Sequence, residues 1–367
     1  MKRILVYLFL LLPVGGQAQV LTDSSLRQTI LKALDHIYNF EFAEADPLIA
    51  QLEKRYPQHP VGPVLKAVQT QWQYFPLKGN PAATAQFVQA ATQALDLCEK
   101  RLERDNHDPE AIFFALTAHG YMALKYNNER EQMKAVGESR RAYRYMKDGF
   151  KLMDKNPEFY FTTGLYNYYV ERYPMDHPVV KPLMVFFENG DMALGIRQME
   201  MAAKRGIFTK AETGYYLAHV FLKYENQPTR ALAYIKPLAA KYANNPFYAM
   251  IHTEALLLSG QHDEGLSALQ RLRQMRYKWL NVAVAAFDGL LAEKVSRNDR
   301  LATEQYQNAL KQPVVDSYTK EYHAFANAGL ARIAARAGKR GEARAYYKKA
   351  SDIAEYHSIQ QEAKAFK

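Results

Sequence analysis

The chain has 367 residues but only one cysteine, Cys98, and two tryptophans. A single thiol cannot close an internal disulfide, so a disulfide-stapled scaffold is excluded and stability has to come from packing. Cys98 lies in an alanine-rich stretch, where a small buried apolar side chain is expected rather than a nucleophile. No apolar run approaches the ~20 residues needed to cross a bilayer. Alternating strand patterns, Ser/Gly linkers and low-complexity tracts are missing too, which leaves an all-α class. Catalytic signatures are equally lacking: no HExxH, no paired CxxC, no glycine-rich phosphate loop, no GxSxG. The histidines are scattered, and the nearest approach to a dyad, Asp176 beside His177, is bounded by prolines and reads as a turn. No catalytic residue, metal ligand or cofactor is therefore expected, and the chain reads as a non-enzyme.

What is present begins with an address. Lys2 and Arg3 precede an apolar run over residues 4–12, followed by Pro13, Gly15, Gly16 and Ala18. That is the layout of a secretory signal peptide, so cleavage is expected near Ala18, with the mature chain in the periplasm or outside the cell. Losing Lys2 and Arg3 lowers the formal charge from +10 to +8, still basic.

Residues 327–350, NAGLARIAARAGKRGEARAYYKKA, read as two short helices joined at a glycine. Leu330, Ala331, Ala334 and Ala335 recur at the three- and four-residue steps of one helical face. Gly338 ends that helix, and Ala343, Tyr347 and Ala350 mark the next. The same second-helix spacing recurs from Ala45, Ala94, Ala142, Gly195, Ala231, Gly265, Ala302 and Ala343. Segments starting at Glu44 and Arg230 superpose without a gap: Ala45 on Ala231, Ile49 on Ile235, Leu52 on Leu238, Tyr56 on Tyr242 and Pro60 on Pro246. Asp108-Pro109, Asn156-Pro157 and Asn245-Pro246 punctuate the pattern, with proline suited to a first helical turn.

Ala331, Gly338, Ala343, Tyr347 and Ala350 resemble the tetratricopeptide repeat family. The resemblance implies a solenoid of about seven to eight stacked hairpins wound into a right-handed superhelix. Divergent, elongated hairpins are expected over residues 19–190 and more regular repeats over residues 191–367. Residues 164–195 break the rhythm, because Pro174, Pro178 and Pro182 oppose an ordinary hairpin. Their layout is similar to the central region of the tetratricopeptide repeat protein 39 and inclusion-body-clearance group.

In the tetratricopeptide family the first helices line a concave groove that takes a protein or peptide. Carried over by offset, that face holds Phe161, Tyr168, Tyr169, Tyr215, His219, Lys223, Phe247, Met250, Glu254, Arg332 and Arg336. Basic stripes at Arg140, Arg144, Lys147 and Lys151, and at Arg332, Arg336 and Arg340, read as solvated faces or as attraction for acidic partners or anionic headgroups. Nucleic acid does not suit an exported chain, whereas self-association stays open. The expectation is an exported scaffold binding protein partners in the cell envelope. The alternative is a small-molecule carrier or enzyme with its site in residues 166–189, which a deep pocket lined by Tyr, Asp and His would favour.

Overall fold

The computed structural model describes residues 23–154, 156–315 and 317–366, so the expected signal peptide lies outside it. The described residues contain helices and no strand. Helix α1 (Ser24–Tyr38) pairs with α2 (Phe42–Arg55), α3 (Val61–Gln73) with α4 (Pro81–Leu102), α5 (Pro109–Asn128) with α6 (Gln132–Leu152), and α7 (Phe159–Asp176) with α8 (Met192–Arg205). Helix α9 (Lys210–His219), prolonged by a π-helical turn at Val220–Tyr224, pairs with α10 (Pro228–Lys241). Then come α11 (Pro246–Leu258) with α12 (His262–Gln274), α13 (Asn281–Lys294) with α14 (Asp299–Lys311), and α15 (Ser317–Arg336) with α16 (Arg340–Ile353). Helix α17 (His357–Ala365) packs on α15 and α16 after them.

Every small-residue anchor read from the sequence falls on the second helix of a hairpin, and all are buried. In α2, α8, α10, α12, α14 and α16 the anchor is the fourth residue of the helix. In α4 and α6 it lies deeper, at the fourteenth and eleventh residues. Those helices are longer, at 22 and 21 residues, which accounts for the wide spacing in the first half.

The hairpin turns share one backbone device. Seven of the eight place a residue in the left-handed region: Phe40, Gly79, Arg130, Asn226, Gly260, Arg297 and Gly338. Back-bonding completes the turn, as where Gln261 N–H donates to Leu256 O and Lys339 N–H to Ala334 O. Only three of these positions are glycine, so glycine alone could not reveal the repeat.

The eighth hairpin, α7 with α8, differs. Its two helices meet at glycines: a Cβ on Gly164 would stand 2.8 Å from Met199 N and 2.9 Å from Gly195 O, and one on Gly195 would stand 2.7 Å from Gly164 O. Backbone against backbone leaves no flexible atom to yield. Helix α7 runs through Pro174 to Asp176, after which Pro178–Phe186 forms a 3-10 stretch instead of a tight turn.

The superhelix closes on itself after five hairpins. The first hairpin reaches the start of α11: Tyr242 Oη donates to Asp35 at 2.7 Å, and Asn245 Nδ2 donates to Tyr38 O at 2.8 Å. Rings complete the seam, with Tyr38 5.7 Å from Tyr242 and Phe40 6.1 Å from Phe247. Closure converts an open groove into a chamber.

Candidate functional site

The first helices of the closed turn surround a cavity of about 530 Å³, within the ~300–1,000 Å³ range of small-molecule sites. A dry void of that size, at ~24 cal/mol per Å³, would cost about 13 kcal/mol. That is comparable to the whole stability of a domain, ~5–15 kcal/mol, so the space is one that water or a ligand fills.

Two chemistries meet in its wall. Helices α1 and α3 supply an apolar part, including Ile30, Leu34, Val61, Val64 and Val68. The ends of α5, α7 and α9 supply a polar part with Asn127, Tyr173, Asp176, His177 and Lys223, joined by Glu355 from the link between α16 and α17. The sequence puts these polar residues at helix ends, and the superhelical curvature turns those ends toward one another.

The charges in the polar part are matched. Arg172 makes a forked pair with Asp176, at 2.9 and 2.6 Å, and its guanidinium lies 4.6 Å from the centre of the Tyr224 ring. The Asp176 carboxylate is thereby engaged by Arg172, which argues against Asp176 and His177 forming a catalytic dyad. Burial would lower the Lys223 pKa, but Glu355 at 3.0 Å overrides it and holds the ammonium charged. Burial raises Glu355 in turn, yet Lys223 and Lys320 pull it down to about 2. His219, deep in protein and next to the Lys223 charge, falls to about 3 and is neutral. Burial likewise lowers His177.

Between the two parts sits Glu212, which accepts a hydrogen bond from Tyr121 and interacts with the Tyr38 hydroxyl. Glu212 is half-buried, with part of its surface facing the chamber, and burial raises its pKa despite the two tyrosines. Gln71 presents a buried Oε1 with no hydrogen-bond partner within the protein, and it too lines the chamber. A buried acceptor left unmatched costs ~1–3 kcal/mol, which a donor on a bound molecule would recover. Gly120 lies on the chamber wall yet is exposed, which places it at the open side.

The expected concave-face residues divide three ways. Phe161, Tyr169, Tyr215, His219, Lys223 and Phe247 do line the chamber. Tyr168, Met250 and Glu254 do not: Tyr168 is buried and donates to Glu225 at 2.7 Å, Met250 is core, and Glu254 is held by Tyr322 and Tyr356. Arg332 and Arg336 also lie away from the chamber, with their charges paired inside the protein. Arg332 forks onto Glu293 at 2.8 and 2.7 Å, and Arg336 reaches Glu293 at 3.1 Å and Asp299 at 2.7 Å. Sequence reasoning missed Gln71, Trp72, Tyr121 and Glu355, whereas Tyr173, Asp176 and His177 fall in the 166–189 segment named as the alternative site. Tyr121 and Glu212 are 91 residues apart, and Lys223 and Glu355 are 132 apart, so no local spacing could have joined them.

No known family model matches the chain, and no curated protein matches it. Among solved structures it is similar to yeast Tom70, at 13% identity and a TM-score of 0.39 over 94% of this chain and 82% of that one. It is also similar to the human IFIT1 dimer with PPP-AAAA, at 14% identity and a TM-score of 0.36 over 90% of this chain and 85% of that one. Neither likeness says what this chain binds.

Proposed function

We propose that this chain is an exported, non-catalytic helical-repeat binding protein of the cell envelope, and that its ligand is a small, largely apolar molecule held in the chamber. The observation that carries this reading is the closure of α1 onto α10 and α11 around a cavity of about 530 Å³. An extended peptide needs an open groove, and the first five hairpins turn theirs inward. The apolar wall gives affinity through area removed from water, at ~25 cal/mol per Å². The internally paired charges disfavour a strongly ionic ligand, while the Gln71 acceptor suits a hydroxyl or N–H on an otherwise apolar body. Acids and bases that face one another, as Asp176 faces Arg172 and Glu355 faces Lys223, support binding over proton transfer. Export rests on the residue 1–18 pattern.

The test is to purify the chain from its native envelope, extract it with organic solvent and identify released molecules by mass spectrometry. An apolar fluorescent probe titrated into the stripped protein checks the site directly. An apolar compound carrying a hydrogen-bond donor, which displaces the probe, is the expected result. A stripped protein that takes up neither probe nor extract would refute it.

A further inference from the structure

Among the described residues, the end of α7 and the segment that follows it carry the largest group of exposed large apolar side chains. Met175, Val179, Val185 and Phe186 are all exposed, with Val179 at 69% and Val185 at 80%. Elsewhere Leu266 and Leu301 stand singly, and Val314 and Val315 form no more than an adjacent pair. The four at the end of α7 and after it are held outward by an anchored backbone. Pro178 and Pro182 restrict it, Val180 is buried beneath it, and Tyr166 Oη donates to Glu188 O at 2.5 Å. Tyr143 of α6 packs on Phe187 at 5.5 Å.

Positive charge flanks the same surface. The Arg140 guanidinium lies 4.2 Å from the centre of the Phe186 ring, which joins the segment to the basic stripe of α6. Arg144, Lys147 and Lys151 continue that stripe, all exposed, and Lys181 projects from the segment itself. No described carboxylate lies within ion-pair distance of Arg144 or Lys147. The acidic groups nearby are fewer: Glu188 is exposed at the end of the segment, Asp148 stands 3.8 Å from Lys151, and Glu138 is taken by His119 and Arg141.

We propose that this face docks the protein on an anionic bilayer, with Val179, Val185 and Phe186 entering the interface and the α6 stripe meeting the headgroups. Apolar side chains ringed by lysine and arginine are the chemistry of reversible interfacial binding, each basic residue strengthening it about five-fold. Charge complementarity selects a lipid surface here, since an apolar protein partner would gain nothing from four adjacent cations. Met184 and Phe187 of the same segment also line the chamber, so the docked face borders the cavity.

Sedimentation of the purified chain with vesicles of phosphatidylcholine alone, or mixed with phosphatidylglycerol, tests this. Expected is pelleting with the anionic vesicles only, lost as salt rises. Two variants, Val179→Ser/Val185→Ser/Phe186→Ser and Arg144→Glu/Lys147→Glu, should each weaken binding at least about ten-fold with an unchanged helical circular-dichroism spectrum. Their altered side chains are exposed, so the fold has no reason to fail. Equal pelleting with neutral vesicles, undiminished binding by either variant, or no pelleting at all would overturn the proposal. So would self-association that the serine variant abolishes in the absence of any vesicle binding, which would mark a protein interface. Vesicle binding does not depend on the chamber, so a chamber-blocked protein that still pellets separates the two readings.

Discussion

Gly120→Phe puts the chamber to its sharpest test. Gly120 lies within α5 on the chamber wall, and a Cβ built there meets nothing within 4 Å. The new side chain therefore grows into free space. A cavity that accommodates benzene is ~150 Å³. One benzyl group would thus take over a quarter of the 530 Å³ available. If the ligand loses burial of roughly three methylenes, at ~0.8 kcal/mol each, affinity falls by ~2.4 kcal/mol, or about 60-fold. Stability should move the other way, because a mid-helix glycine is replaced by a better helix former, a gain of ~0.5 kcal/mol. Probe titration and urea unfolding of the same preparation read both effects. Unchanged probe binding would show that the ligand sits elsewhere, and a loss of stability above ~1 kcal/mol would contradict the open geometry around Gly120.

Four further outcomes follow from the packing. Gly164→Ala places a methyl against the α8 backbone and should cost ~1–3 kcal/mol, read from the urea midpoint, since neither helix can withdraw alone. Glu293→Ala leaves Arg332 with Glu362 alone and the buried Tyr306 hydroxyl without its acceptor, and should cost ~3 kcal/mol, whereas Arg336→Ala, at an exposed end of the same network, should cost under ~1 kcal/mol. Burial raises Glu254 to about 7 in spite of the Tyr356 and Tyr322 hydroxyls. A raised carboxyl contributes stability below its ordinary value near 4.5 and loses it as pH rises through 7, by up to roughly 3 kcal/mol. Glu254→Gln should therefore gain on the wild type between those pH values in thermal melts, and parallel curves would rule this out. Cys98 is buried and burial raises its thiol, so a disulfide reagent should react with it only after denaturant unfolds the chain.

Local chemistry was legible wherever a residue's role depends on its neighbours along the chain. Ala45 and Ala231 mark equivalent second helices because close approach of two helices admits only a small side chain there, whatever lies beyond. Asp108 and Asn245 cap α5 and α11, with Pro109 and Pro246 at the first turn, because capping is settled within three residues. Turns at Phe40, Arg130, Asn226 and Arg297 were harder to read, since these residues adopt a glycine-like conformation that packing imposes on them. In α4 and α6 the period survives while the position slips, because a 3.6-residue repeat reports a helical face and not where along it the neighbour sits.

The sequence by itself determined an all-α chain of repeated hairpins, since apolar period, caps and helix-ending residues act over a few positions. It also placed Phe161, Tyr215 and Phe247 on one common side of their hairpins. Whether that side opens to a protein or closes on a cavity was decided by the tertiary structure alone. The small rotation between successive hairpins accumulates over five of them until Tyr242 and Asn245 reach Asp35 and Tyr38, more than 200 residues apart in sequence. No local pattern encodes a summed rotation, and the same sum brings Glu355 to Lys223 and Glu212 to Tyr121.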